Sequence, residues 1–146
     1  MRKLYSTYIL SILFLFSCSS QNNEFSDNEM TLILDTAINN KQLNSSLSKL
    51  YLTQPLRLVR SDNLKKDYPL FKNGKPVVYV DIDSSSRKLT NWRKPKFYGN
   101  IQNFKIISDK KVEISLLFRD TGLWAIMEII KIDKKWTISS FKNHTI

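Results

Sequence analysis

A single cysteine among 146 residues leaves no partner for an intramolecular disulfide and too few thiolates for a cysteine-based zinc site. A single histidine, His144, excludes any site that needs two imidazoles. The three glycines, Gly74, Gly99 and Gly122, stand far apart, so no glycine-rich phosphate loop can form. So few glycines, with only four prolines, also exclude collagen-like and proline-rich architectures. Acidic residues are scarce as well: 13 Asp and Glu stand against 23 Lys and Arg, for a formal net charge of +10. What is present is 42% apolar and 25% charged residues, the composition of one folded domain with a hydrophobic core and not of a disordered chain.

The longest apolar run comes first. Met1-Arg2-Lys3 is a short positive start, and residues 4–17 carry no charge before the polar stretch Ser19-Ser20-Gln21-Asn22-Asn23 begins. A membrane span needs about 20 apolar residues to cross the hydrocarbon core, so this shorter run reads as a signal peptide. It closes in Leu15-Phe16-Ser17-Cys18, with an aliphatic residue three places before the cysteine and a small residue immediately before it. That sequence resembles the lipobox of bacterial lipoproteins. The resemblance implies cleavage before Cys18, a diacylglyceryl thioether on its sulfur and an acyl chain such as palmitate on the new amine. The thiol is then consumed and takes no part in redox or nucleophilic chemistry. Ser19, where an inner-membrane lipoprotein of enteric bacteria has Asp, implies the outer membrane. Residues 1–17 are thus expected as a signal peptide, residues 18–25 as the lipidated cysteine and a flexible tether, and residues 26–146 as a single domain anchored in the cell envelope.

Within that domain Ser26-Asp27-Asn28-Glu29 has the S-x-x-E form of a capping box, which predicts a helix from about Asp27. Met30, Ile33, Leu34, Ala37 and Ile38 then recur at helical spacing. Asn39-Asn40 interrupts the stripe, and Leu43, Leu47, Leu50 and Tyr51 restart it as a second short helix or a bent continuation. From Lys75 the period changes to two. Residues 77–82, 101–107, 112–118, 123–132 and 136–141 are β-branched or aromatic runs of strand length. Short polar turns at residues 108–111, 119–122 and 133–135 join the last four into an antiparallel meander. Residues 123–132 are apolar at both parities, which predicts a central strand covered on both sides. The expected fold is α+β, with one or two N-terminal helices packed on a curled antiparallel sheet of four to five strands. This order of elements resembles cystatin-like and NTF2-like folds.

No catalytic constellation accompanies this scaffold. His144 is expected in a fraying tail, and S-x-x-K recurs at Ser46, Ser85, Ser108 and Ser139 without the companion motifs that give the pattern meaning. Asp81-Ile82-Asp83 puts two carboxylates on one side of a strand end, but no third acidic ligand is near, so the pair reads as turn residues and no metal or cofactor is expected. One segment is distinctive: residues 84–108 hold Arg87, Lys88, Arg93, Lys94, Lys96 and Lys105 with no acid, and Trp92, Phe97, Tyr98 and Phe104 interleave them. Clustered cations with flat rings suit a polyanion, and Arg87, Lys88, Trp92, Arg93, Lys94, Lys96 and Tyr98 are the candidate surface. Behind a signal peptide the fitting partners are anionic headgroups, lipopolysaccharide phosphates or an acidic protein, and not nucleic acid. The expected function is that of a non-catalytic binding module of the envelope. An inhibitor or immunity lipoprotein acting on a toxin or hydrolase is the alternative, and a small-ligand binder or enzyme with an NTF2-like pocket near Trp92 or Trp124 and Asp81 is a third.

Overall fold

A computed structural model describes residues 24–81 and 96–146. The leader, Cys18, the start of the tether, Asp83 and five members of the basic segment (Arg87, Lys88, Trp92, Arg93 and Lys94) lie outside the described residues. Helix α1 spans Asp27–Ile38, where Ser26 caps it by accepting from the Glu29 amide at 3.3 Å. Its apolar stripe buries Ile33, Leu34, Ala37 and Ile38 against the sheet. Asn39 ends the helix, and Asn40 starts the next one, α2 (Lys41–Ser46), by accepting from the Leu43 amide at 2.9 Å. A single turn, α3 (Lys49–Leu52), follows.

The strands are β1 (Arg57–Val59), β2 (Phe71–Lys72), β3 (Lys75–Pro76), β4 (Val78–Val80), β5 (Tyr98–Ser108), β6 (Lys111–Phe118), β7 (Leu123–Ile132) and β8 (Lys135–Thr145). Six of them form one sheet in the order β4-β1-β5-β6-β7-β8, and β2 and β3 form a separate hairpin. The four-stranded meander is present as β5 to β8, all antiparallel. Two expectations need correction. The sheet has six strands and not four to five, and it is not wholly antiparallel, because β1 pairs in parallel with both β4 and β5. Three residues are too few to show an alternation, so β1 carries no periodic signal, and its partners run parallel because crossover connections return the chain to the same end.

The two faces differ sharply. On one, Val112, Ile114, Leu116, Phe118, Ala125, Met127 and Ile129 join the residues of α1 in the core. On the other, Trp124 is 37% exposed and Ile126 and Ile130 are only half-buried. The expectation of a central strand covered on both sides is therefore corrected: β7 lies next to the edge strand β8 and is fully covered on one side only, and its apolar outer residues do not mean a second layer. His144 does not fray: it sits in β8 opposite Trp124, with ring centroids 5.9 Å apart. Gly122 ends the turn before β7 with a left-handed φ of 65°, and a Cβ there would lie 2.9 Å from the Ile146 carbonyl oxygen.

The hairpin of β2 and β3 turns at Asn73-Gly74, both at positive φ (52° and 75°), as a two-residue hairpin turn requires. Its polar side chains end the helices. Lys72, 1% exposed, donates from Nζ to the Ile38 carbonyl at the end of α1 and to Asn44 Oδ1 of α2. Asn73 donates to the Leu52 carbonyl at 3.2 Å, Lys75 donates to the Thr53 carbonyl, and Asn39 donates back to the Phe71 carbonyl at 2.9 Å. Carbonyls that a helix end leaves without intrahelical partners are thus met by one hairpin.

Candidate functional site

Strand β8 ends the sheet, so one of its edges has no neighbouring strand among the described residues. Alternate N–H and C=O groups along such an edge remain available for another strand. Helix α1 packs over β7 and β8 on the core side, and its last turn with the start of α2 rises beside this edge. Between them lies a groove of about 600 Å³, open to solvent, with Asp35, Thr36 and Asn39 on the helical wall and Trp136, Ile138 and Phe141 on the strand wall. Trp136 is nearly buried, yet its indole N–H has no hydrogen-bond partner among the described residues. Lys41 lines the groove, whereas Lys135 and Lys142, opposite Ile132 and Ile126, lie on the other face of the same edge strand. Its carboxylate, Asp35, already accepts from Asn39 at 2.9 Å. The net character is a charge-balanced, amide-rich trough beside unpaired backbone.

At the other end of α1 the geometry is equally defined. Glu29 accepts from Lys131 at 2.6 Å, and this contact, with the Ser26 amide and hydroxyl adding to it, holds the Glu29 carboxyl below its ordinary range. Phe25 meets Trp136 edge-on with centroids 5.4 Å apart, and the Lys131 ammonium lies 5.6 Å from the centroid of the same indole.

No protein-family profile matches the chain, and no curated protein or solved structure matches it. Its residues therefore carry the reading.

Of the seven residues of the expected polyanion surface, Lys96 and Tyr98 are described. Lys96 is exposed, and its amide donates to Asp120 Oδ2 at 3.0 Å. Tyr98 is half-buried in β5 opposite Arg57. Phe97 between them is fully buried and stacks on Phe118 with centroids 5.5 Å apart, so it belongs to the core and not to a surface cluster. Asp81 is largely exposed and paired: Arg60 donates to it at 2.9 Å while gripping Asp67 through two further bonds of 2.7 and 2.8 Å. The Arg60 pKa is raised beyond its usual value, chiefly by Asp67, and the Asp67 carboxyl is held low by the same contact. Asp81 and Trp124 lie at strands four places apart in the sheet, about 19 Å by strand spacing, and share no cavity. Among the described residues no group of three or more metal-ligating side chains comes together.

The strongest electrostatic perturbation belongs to a residue that the sequence reading passes over. Burial pulls the Lys72 ammonium down to about 8, with Asp35 acting in the opposite sense. Asn73-Gly74 between two short apolar runs is the signal that could have placed a hairpin there. The groove had a weaker signal, the polar pair Asn39-Asn40 that ends the apolar stripe of α1.

Proposed function

We propose that the chain is a lipid-anchored binding module of the bacterial cell envelope, held at the outer membrane through Cys18, which grips an acidic, extended polypeptide segment by adding it as a strand along β8. The groove between α1 and β8 carries this reading. An incoming strand satisfies the unpaired edge backbone, the common geometry of strand-addition recognition. Lys41 in the groove, with Lys135 and Lys142 on the opposite face of the same edge strand, favours carboxylates among the alternating side chains of that strand. The β-bulge near Ser139, where the register shifts between Glu128 and Ile129, interrupts a long flat edge and works against indefinite self-pairing. If the captured segment belongs to a toxin or hydrolase, the module is an inhibitor or immunity lipoprotein. The finer fold reading, cystatin-like or NTF2-like, is supported by one helix lying across a meander whose three bulges curl it. Anionic headgroups or lipopolysaccharide at Arg87, Lys88, Trp92, Arg93, Lys94, Lys96 and Tyr98 remain a separate proposal, resting on sequence.

Two measurements test the proposal. Labelling cells with a palmitate analogue should mark the wild-type chain and leave Cys18→Ser unmarked and released from membranes. Persisting label in the variant removes the anchor. For the groove, a soluble form starting at Ser19 is titrated with a heptapeptide alternating Glu and Val, and with its Lys/Val counterpart. The Glu peptide should bind, slow amide exchange in β8 and lose at least tenfold in affinity in Thr36→Trp, whose ring fills the groove. Thr36 lies at the helix surface, so stability should move by no more than about 0.5 kcal/mol. Protection elsewhere, or a dimer in place of peptide binding, rejects the acidic-strand reading.

A further inference from the structure

We propose that the end of the sheet formed by the β5–β6 and β7–β8 turns faces the bilayer, with Ile107 and Ile132 entering its interfacial layer. The inference rests on the lipid anchor at Cys18. Three contacts fix where the tether reaches the fold: Phe25 against Trp136, Glu29 on Lys131, and Glu24 and Phe25 beside Asp109 and Lys131 in a small cleft. All lie at the turn end. Six Cα–Cα steps lead from Cys18 to Glu24, a reach of at most about 22 Å. The eleven residues of β5 span about 36 Å, so Tyr98, Trp124 and His144, at the opposite end of the strands, stand well away from the anchor when the domain is upright.

The side chains at the near end suit an interface. Ile107 is 47% exposed and Ile132 is 52% exposed, each within two residues of a turn, where no core packing calls for isoleucine. Lys105, Lys110, Lys134 and Lys135 surround them, with long stems that lie along apolar surface and ammonium groups that reach headgroups. Asp109 and Asp133 sit in the same turns, and Lys111 and Lys131 are paired with Glu128 and Glu29. With Glu24 in the cleft beside Asp109 and Glu113 opposite Lys105, the six lysines at this end meet six carboxylates, so the contact is apolar in origin and insensitive to salt. An already tethered domain needs only a small bias to orient, because its local concentration at the surface is high. Upright, the domain holds β8 along the membrane normal and presents the groove beside it to a strand arriving from the aqueous side.

The test uses the full lipidated chain in phosphatidylethanolamine and phosphatidylglycerol vesicles. With Cys18 consumed, a cysteine introduced by Lys110→Cys or His144→Cys takes an environment-sensitive fluorophore at one place. A quencher attached to lipid headgroups should quench the Lys110→Cys label several-fold more than the His144→Cys label, equally at 0.1 and 1 M salt. Adding Ile107→Gln and Ile132→Gln should remove most of the difference, with the melting temperature confirming the fold. Equal quenching at the two positions, stronger quenching at His144→Cys, or a difference abolished by salt overturns the proposal. Mass spectrometry of the same protein separates the two layers: an unlipidated Cys18 takes the anchor and this orientation down together, whereas a lipidated chain with equal quenching removes the orientation alone.

Discussion

Between pH 7 and pH 10 the folded protein should gain about 2 kcal/mol of stability, as one pKa unit corresponds to about 1.4 kcal/mol, and Lys72→Met should abolish the gain. Lys72 titrates near 8 in the folded state against 10.5 for the free side chain, because burial disfavours its charge. Over that interval the unfolded chain binds more protons than the folded one, so stability rises with pH. Below pH 8 both states are protonated and the contribution is flat. Above pH 10 the trend should reverse: burial raises the pKa values of Tyr51, Tyr68 and Tyr79, so these hydroxyls ionise first in the unfolded chain. Urea titrations at pH 7, 8, 9 and 10 on both proteins are sufficient. A wild-type profile that stays level over this range means the Lys72 ammonium is solvated and the hairpin does not seal the end of α1.

Replacing Phe97 by alanine should destabilise the protein by about 3–5 kcal/mol, the usual cost of emptying a fully buried aromatic site. The Phe97 ring is 0% exposed, stacks on Phe118 at 5.5 Å and touches Tyr51 at 5.8 Å, and the Phe97 carbonyl accepts from the Arg57 amide at 2.8 Å. The ring therefore pins the start of β5 to β1 and to α3. A solvated aromatic of a basic loop would instead leave stability within about 0.5 kcal/mol. The denaturation midpoint of Phe97→Ala decides between them, with Phe97→Leu expected to recover most of the loss by refilling the volume. If Phe97→Ala unfolds like the wild type, Phe97 returns to the surface reading.

The contrast between Phe97 and Lys72 shows what the sequence could and could not reveal. Periodic elements were legible: α1 begins at Asp27 and buries Ile33, Leu34, Ala37 and Ile38, and β5 to β8 follow the alternating runs and polar turns. Shorter elements were less so: β4 lies within the expected run 77–82, but β1 to β3 are too short for a period and their placement depends on partners elsewhere in the chain. Side-chain partners set by tertiary position were not legible from local composition either. Phe97 lies among cations yet packs inward, Lys72 is charged yet buried, and Asp81 beside Asp83 is taken by Arg60 from 21 residues away. The groove escaped notice for the same reason: it is formed by α1 and β8, about a hundred residues apart, and neither of its walls is unusual alone.

That separation governs the order in which the chain can fold. Glu29 and Lys131 are 102 residues apart, and α1 has its packing partners in β7 and β8, so the helix has nothing to bury its stripe against until those strands exist. A short isolated helix is marginal in water, and contacts this distant in sequence are slow to form. The stripe of α1 therefore stays unpacked until most of the chain is present, while β5 to β7 can pair locally. A secretion channel, which passes only extended polypeptide, would meet a chain whose first helix is kept unpacked by its own topology until the last strands have crossed.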